Sequence, residues 1–279
     1  MGSPLVDTKQ QPPYSVTMLV VKHKVGDDLQ TAVESAIKEL GGWGKYIKKG
    51  EVIFLKPNCN TADPFPASSD LEFLKVVVES CYQAGVKSVL IGDSSTFTLN
   101  TRKVFDQKGM FTLQELVNPA RVYIFEEGRW VTKEISNGKY LKKASLPEVV
   151  FRADKVIWLP CCKTHKQAQY TGAVKLAVGL LKPIQRIPMH LRNLQEKVEE
   201  LSSLIQPDLV IMDARKIFIT GGPSSGDVRE PKLILASESR VAIDIEGIRL
   251  IQSFPGNSLA GIKAEELPQI TRAREMGIR

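Results

Sequence analysis

The chain has 279 residues, with 38 basic against 31 acidic side chains and a formal net charge of +7. That length allows one large α/β domain or two small ones, and a charged fraction of 25% beside an apolar fraction of 43% is ordinary for a soluble globular protein. No apolar run approaches a membrane span, residues 1–15 lack the pattern of a signal peptide, and the basic residues are scattered, which favours small anions over nucleic acid or membrane.

Residues 1–15, with Pro4, Pro12 and Pro13, read as a flexible leader. Val16 to Val21 then reads as a strand. Asp28 to Leu40 reads as a helix, with Leu29, Ala32, Val33, Ala36, Ile37 and Leu40 at helical spacing and Gly41-Gly42 as its stop. Glu51 to Leu55 is the next strand. Ser69-Asp70 caps a helix that ends at Gly85, and Ser88 to Ile91 follows as a strand. Residues 101 to 117 suggest a helix in two pieces, broken near Gly109. Val122 to Phe125 is a strand, and residues 130 to 143 a hairpin turning at Asn137-Gly138.

The second half repeats this alternation. Val156 to Leu159 is a buried strand, followed by a polar loop and a helix from about 171 to 181. His190 to Ile205 is an amphipathic helix. Leu209 to Met212, Ile217 to Thr220 and Leu233 to Ala236 are strands, and Arg240 to Ser253 is a helix. The tail from Pro255 begins Gly-rich and turns helical near its end. This order predicts an α/β fold: a mostly parallel, doubly wound sheet with helices on both faces and some antiparallel additions. The expected organisation is one α/β domain over 16–256 and a tail over 257–279 with no ferredoxin domain.

Four strands run into polar clusters: Lys56-Pro57-Asn58-Cys59-Asn60, Gly92-Asp93-Ser94-Ser95-Thr96, Pro160 through His165, and Asp213. In open α/β sheets ligands bind beyond the carboxyl ends of the strands, so parallel neighbours would gather these clusters at one rim. Lys56, Asn58 and Ser94 are candidate ligand-binding groups, and Asp93 and Asp213 are candidate carboxylates to orient a lysine or a metal. Against these stand bland roles, a solvated lysine and a helix cap.

His165 is one of three histidines. It can move a proton near neutral pH or ligate a metal, and a structural role competes equally. Cys59, Cys161, Cys162 and His165 form a candidate metal set, although no C-x2-C pair supports it and buried thiols are the commoner outcome. Adjacent cysteines do not bridge readily, so reduced thiols and a cytoplasmic location are expected. Lys175 sits in an apolar segment. Burial favours its neutral form and makes it a candidate base or nucleophile, against the alternative of a lysine snorkelling outward. Thr171, Gly172 and the backbone N–H groups after them would attract an anion at the helix start. Gly221-Gly222-Pro223-Ser224-Ser225-Gly226 lacks the phosphate-loop order, and a loop near the site is as good a reading of it, with Gly222 a candidate contact. Dinucleotide, hydrolase-elbow and zinc-protease signatures are absent from the sequence.

Several segments in this order resemble the domain-of-unknown-function family 362. They are Phe54-Leu55-Lys56-Pro57-Asn58, Gly92-Asp93-Ser94, Ala153-Asp154-Lys155-Val156-Ile157, Lys163-Thr164-His165, Thr171-Gly172-Ala173-Val174-Lys175 with Gly179-Leu180, Pro207 through Asp213, Gly222-Pro223 with Gly226, and Val241-Ala242-Ile243-Asp244. Coverage runs from about residue 17 to 255. Many members carry a ferredoxin-like part with clustered cysteines. This chain has no cysteine after Cys162, hence no in-chain iron–sulfur motif, and electrons would come from a separate electron-transfer protein. Cys161-Cys162 departs from the proline-lysine type of sequence that relatives place before the K-T-H motif. The spacing of His165 and Lys175 is also locally similar to the nickel-pincer lactate racemase family, which points to a cofactor or anion pocket.

The expectation is an α/β enzyme, redox-linked or cofactor-dependent, acting on a small anionic molecule. Lys56, Lys163 and Lys175 would bind negative charge, with Thr164 beside them and His165 as acid/base or metal ligand. The rivals are a non-catalytic module for an anionic metabolite or cofactor, and a metal-binding protein.

Overall fold

A computed structural model describes residues 18–189 and 191–278. The expected leader and His190 lie outside the described residues, as does the start of the first predicted strand. The strands are β1 (Val20–Lys24), β2 (Val52–Lys56), β3 (Ser88–Asp93), β4 (Ala120–Ile124), β5 (Trp130–Glu134), β6 (Lys143–Pro147), β7 (Lys155–Trp158), β8 (Cys161–His165), β9 (Gln169–Thr171), β10 (Leu209–Phe218), β11 (Val228–Arg229) and β12 (Leu233–Ser237). The helices are α1 (Leu29–Glu39), α2 (Trp43–Tyr46), α3 (Leu71–Gln83), α4 (Thr101–Lys108), α5 (Ala173–Leu176), α6 (Pro183–Met189), α7 (Leu194–Ser202), α8 (Arg240–Gln252) and α9 (Pro268–Glu275). None of them is long and apolar enough to cross a membrane.

The main sheet has the order β1-β12-β10-β7-β2-β3-β4. The five strands from β10 to β4 are parallel, and β12 is antiparallel to both β10 and β1. After β2 the chain winds outward through β3 and β4, then returns to place β7 on the other side of β2. The strand order therefore reverses between β2 and β7, where a crevice opens beyond the carboxyl ends. The α/β expectation, mostly parallel with antiparallel additions, holds.

Side-chain alternation builds a core on each face of the sheet. Ile53, Leu55, Ile157, Leu209 and Ile211 pack with residues of α1 and α3 on one side. Phe54, Val156, Trp158, Val210 and Met212 pack on the other with α5, α7 and α8. Leu267, Ile270 and Ala273 of the C-terminal segment join this second core. Asp28 accepts from Gln30 N and Thr31 N to start α1, and Gly85 and Gly109 follow α3 and α4 in left-handed conformation.

Three elements depart from the sequence reading. The expected polar loop after β7 is a buried hairpin, β8 with β9. Lys163 finds acceptors in neighbouring loops and His165 accepts within its own turn, which lets these groups be buried, while Thr164 Oγ1 and Thr171 Oγ1 have no partner among the described residues. The two strands expected over 209–220 are one ten-residue strand, because β10 pairs first with β7 and then with β8. The hairpin β5–β6 forms, but eight residues separate Glu134 from its partner Lys143, so Asn137-Gly138 lies inside a longer loop rather than forming a two-residue turn.

Glu199 of α7 is wholly buried, 3.9 Å from Arg240 of α8, and neither of its carboxylate oxygens has a hydrogen-bond partner among the described residues. Burial outweighs the attraction of Arg240 and raises its pKa from 4.5 to about 8. The folded protein therefore holds a proton that the unfolded chain releases near pH 4.5. Stability from this group is complete below that pH and declines as pH rises towards 8. Glu199→Gln should match the wild type in acid and exceed it by roughly 1–3 kcal/mol at the alkaline end, read from urea unfolding across the pH range.

Candidate functional site at the strand-order reversal

A cavity of about 370 Å³ opens at the crevice. Its floor is the end of β2 and β3. Lys56 ends β2 and Asp93 ends β3, and parallel pairing of the two strands brings their side chains together. Lys56 Nζ lies 2.7 Å from Asp93 Oδ1, with both side chains almost entirely buried. Lys56 also donates to Pro57 O at 2.6 Å. Asp93 accepts from Cys59 N through Oδ2 and from Ser94 N through Oδ1, both at 2.7 Å. The carboxylate thus ties together the loops leaving two strands. Burial lowers the Lys56 pKa, opposed by Asp93.

Gly179 closes over this pair. A Cβ there would meet Asp93 Oδ1 and Lys56 Nζ, so only glycine permits the approach. Arg186 of α6 completes the wall: its guanidinium donates to Ser94 O (3.1 Å), Ser95 O (2.6 Å), Gly179 O (3.0 Å) and Leu181 O (2.8 Å).

The opposite wall is the β8–β9 hairpin. The pleat of β8 turns Lys163 and His165 towards the cavity and Cys162 and Thr164 away from it. Lys163 Nζ donates to Ala67 O and to Pro223 O (3.1 Å), bridging two loops, and burial lowers its pKa. His165 Nδ1 accepts from Gln167 N and Ala168 N, both at 3.1 Å. An accepting Nδ1 leaves the ring hydrogen on Nε2. A second proton, or a metal at Nε2 with hydrogen moved to Nδ1, would set N–H against N–H.

Lys175 lies on α5. It keeps some solvent access where it lines the cavity, and it has no hydrogen-bond or ion-pair partner among the described residues. Desolvation, aided by the Lys163 ammonium, lowers its pKa from 10.5 to about 7. Thr171, at the end of β9, also lines the cavity, and its buried Oγ1 has no partner. Asn58, Ser94 and Gly222 line the cavity as well. Gly222 has φ +71°, and its backbone lies so close to Thr164 O that a Cβ would collide with it.

Other predicted residues fall elsewhere. Gly172 and the N–H groups after it do not face the cavity: Asp244 of α8 accepts from Ala173 N (2.6 Å) and Val174 N (2.9 Å), so the protein's own carboxylate fills the expected anion position. Asp213 orients no lysine. Its strand continues past it, and its carboxylate holds Arg215, which also reaches Asp70 and Glu72. The metal set does not assemble. Cys59 Sγ contacts Met110 Sδ at 3.8 Å, Cys162 Sγ reaches Gly247 O at 3.5 Å across the sheet, and Cys161 is buried without lining the cavity. Among the described residues no three His, Cys, Asp or Glu side chains converge on a metal position. Burial raises all four thiols, Cys161 to about 11, away from the thiolate form that metals bind.

Arg186 and Lys166 line the cavity without a sequence signal that marks them as site residues, and Gly179, quoted only as part of a family-like segment, lines it too. Arg186 sits in a seven-residue helix too short for periodicity to register; Pro183 at its first position was its one signal. Lys166 lies in the β8–β9 turn that had been read as open loop.

The fold and cavity define an α/β protein with a cationic pocket at the strand-order reversal. The chain belongs to the domain-of-unknown-function family DUF362, whose model matches residues 53–249. A thylakoid-associated protein of Synechocystis sp. is 29% identical over 251 residues, which is 86% of this chain and 75% of that protein. Among solved structures, the lactate racemase apoprotein from Thermoanaerobacterium thermosaccharolyticum is a weak neighbour, with 12% identity and a TM-score of 0.39. The match covers 76% of this chain, which spans about half (52%) of that structure.

Removing the Asp93 carboxylate strands a buried ammonium and two N–H groups. Asp93→Ala should cost about 3–5 kcal/mol in denaturant unfolding, and the double variant Lys56→Met/Asp93→Leu should recover a large part of that loss.

Proposed function

We propose that the protein binds a small anionic substrate or cofactor in the cavity at the strand-order reversal and acts on it as an enzyme. The charge of the lining carries this reading. Lys56, Lys163, Lys166, Lys175 and Arg186 face one carboxylate, Asp93, which Lys56 already pairs. Lys56, Lys163 and Arg186 are buried and Lys166 is exposed at the rim, and together they would give the cavity a positive potential that an anion would relieve. The Thr171 hydroxyl, without a partner among the described residues, would supply a donor to orient that anion. Lys175 favours an enzyme over a passive binder, because an amine held without an acceptor stabilises no fold and is suited to proton transfer or nucleophilic attack.

Substrate and anionic cofactor share this chemistry. A redox use of the site would draw on a separate electron-transfer protein, since the four cysteines are dispersed and buried. Four buried free thiols also suit a reducing compartment such as the cytoplasm.

Calorimetric titration with oxalate, a compact dianion, tests the reading. The wild type should bind with an affinity that falls as salt is added. Thr171→Val should leave stability unchanged or slightly raised, since it removes an unpartnered buried hydroxyl, yet weaken oxalate about tenfold. Absence of oxalate binding at low salt would count against the anion site.

A further inference from the structure

The cavity's amines divide into two kinds. Lys56 is ion-paired with Asp93 and bonded to Pro57 O; Lys163 is committed to Ala67 O and Pro223 O. Their nitrogens are committed as donors to these acceptors. Lys175 has neither carboxylate nor carbonyl within bonding distance among the described residues, and it faces the same cavity as the unpartnered Oγ1 of Thr171. No cysteine lines that cavity, and Ser94 Oγ is committed to Glu126 at 2.6 Å. Lys166 Nζ also has no acceptor among the described residues, but its side chain is exposed to solvent; Lys175 is thus the shielded amine whose nitrogen the fold leaves uncommitted, in a cavity lined by cationic side chains.

We propose that Lys175 is an imine-forming lysine whose Nζ condenses with the carbonyl carbon of a short oxo acid held in the cavity. The inference rests on the anion-site reading and adds the substrate's electrophile. The carboxylate of such a molecule would meet the cationic wall, while Thr171 Oγ1, without a partner among the described residues, would donate to its oxygens. The Nζ lone pair forms a bond to the carbonyl carbon as the C=O π pair moves to oxygen. One amine proton passes to that oxygen, giving a carbinolamine. The C–O bond then breaks, the hydroxyl leaves with the second amine proton as water, and the nitrogen lone pair completes the C=N bond. Atoms and electrons balance without an oxidant, reductant or co-reactant. Desolvation and the nearby Lys163 ammonium, which hold Lys175 near neutrality at pH 7, favour the first step.

The test uses the wild-type chain with glyoxylate and cyanoborohydride at pH 7. Any imine is reduced to a stable carboxymethyl-lysine, and peptide mapping locates it. Lys175 should be modified about tenfold or more faster than exposed Lys38 and Lys87, and oxalate should protect it selectively. Labelling of Lys175 no faster than those surface lysines, in protein that binds oxalate, overturns the imine and leaves the anion site standing. Failure of both oxalate binding and labelling overturns the anion site itself. Lys175→Arg keeps the positive charge; it should lose the adduct while retaining oxalate binding, and an adduct that persists elsewhere in the cavity would also overturn the assignment.

Discussion

The ion pair between Lys56 and Asp93 is the constraint on which the site is built. A lysine and an aspartate taken out of water together are tolerated only where geometry and further hydrogen bonds replace hydration. Parallel pairing of β2 and β3 supplies the geometry, and Pro57 O, Cys59 N and Ser94 N supply the bonds. The pair in turn demands a neighbour with no side chain, Gly179, and so fixes the path of the chain after Lys175. Arg186 reads the same arrangement from outside by donating to carbonyls on both segments. One buried contact therefore sets the floor, one wall and the approach of the reactive lysine.

Carboxylates elsewhere divide labour in a way that leaves the cavity positive. Asp244 spends its charge on the N–H groups that open α5, and Asp213 spends its own on Arg215. Each lies close in sequence or space to the site, yet each faces protein. The cavity keeps one carboxylate, Asp93, already paired with Lys56, and Lys163, Lys166 and Lys175 have no carboxylate partner among the described residues. Lys56 and Lys163 are tied to carbonyl oxygens, which orient ammonium groups without cancelling their charge.

Much of this was legible in the sequence. Apolar alternation located nearly every strand and helix, and the four polar clusters at strand ends marked the rim before any pairing was known. Lys56, Asp93, Lys163, His165 and Lys175 were visible because reactive side chains interrupted buried patterns. Thr164 and Cys162 misled for one reason: β8 is a pleated strand, and a loop reading lacks the alternation that sends both to the far side. Arg186 was hidden because one short helix turn carries too little periodicity to stand out.

The sequence by itself determined the α/β alternation, the family and the set of reactive groups, since these depend on local period and composition. Only the tertiary structure decided which of those groups meet. Strand order places Lys56 beside Asp93 and β7 beside β2, and packing of α8 delivers Asp244 to the helix start that had looked open to a ligand. Such choices depend on contacts between residues tens to hundreds of positions apart, whose partners no local pattern records. That is why the sequence could name Lys175 as reactive, while the structure alone showed that the buried amines beside it, Lys56 and Lys163, have acceptors and Lys175 has none among the described residues.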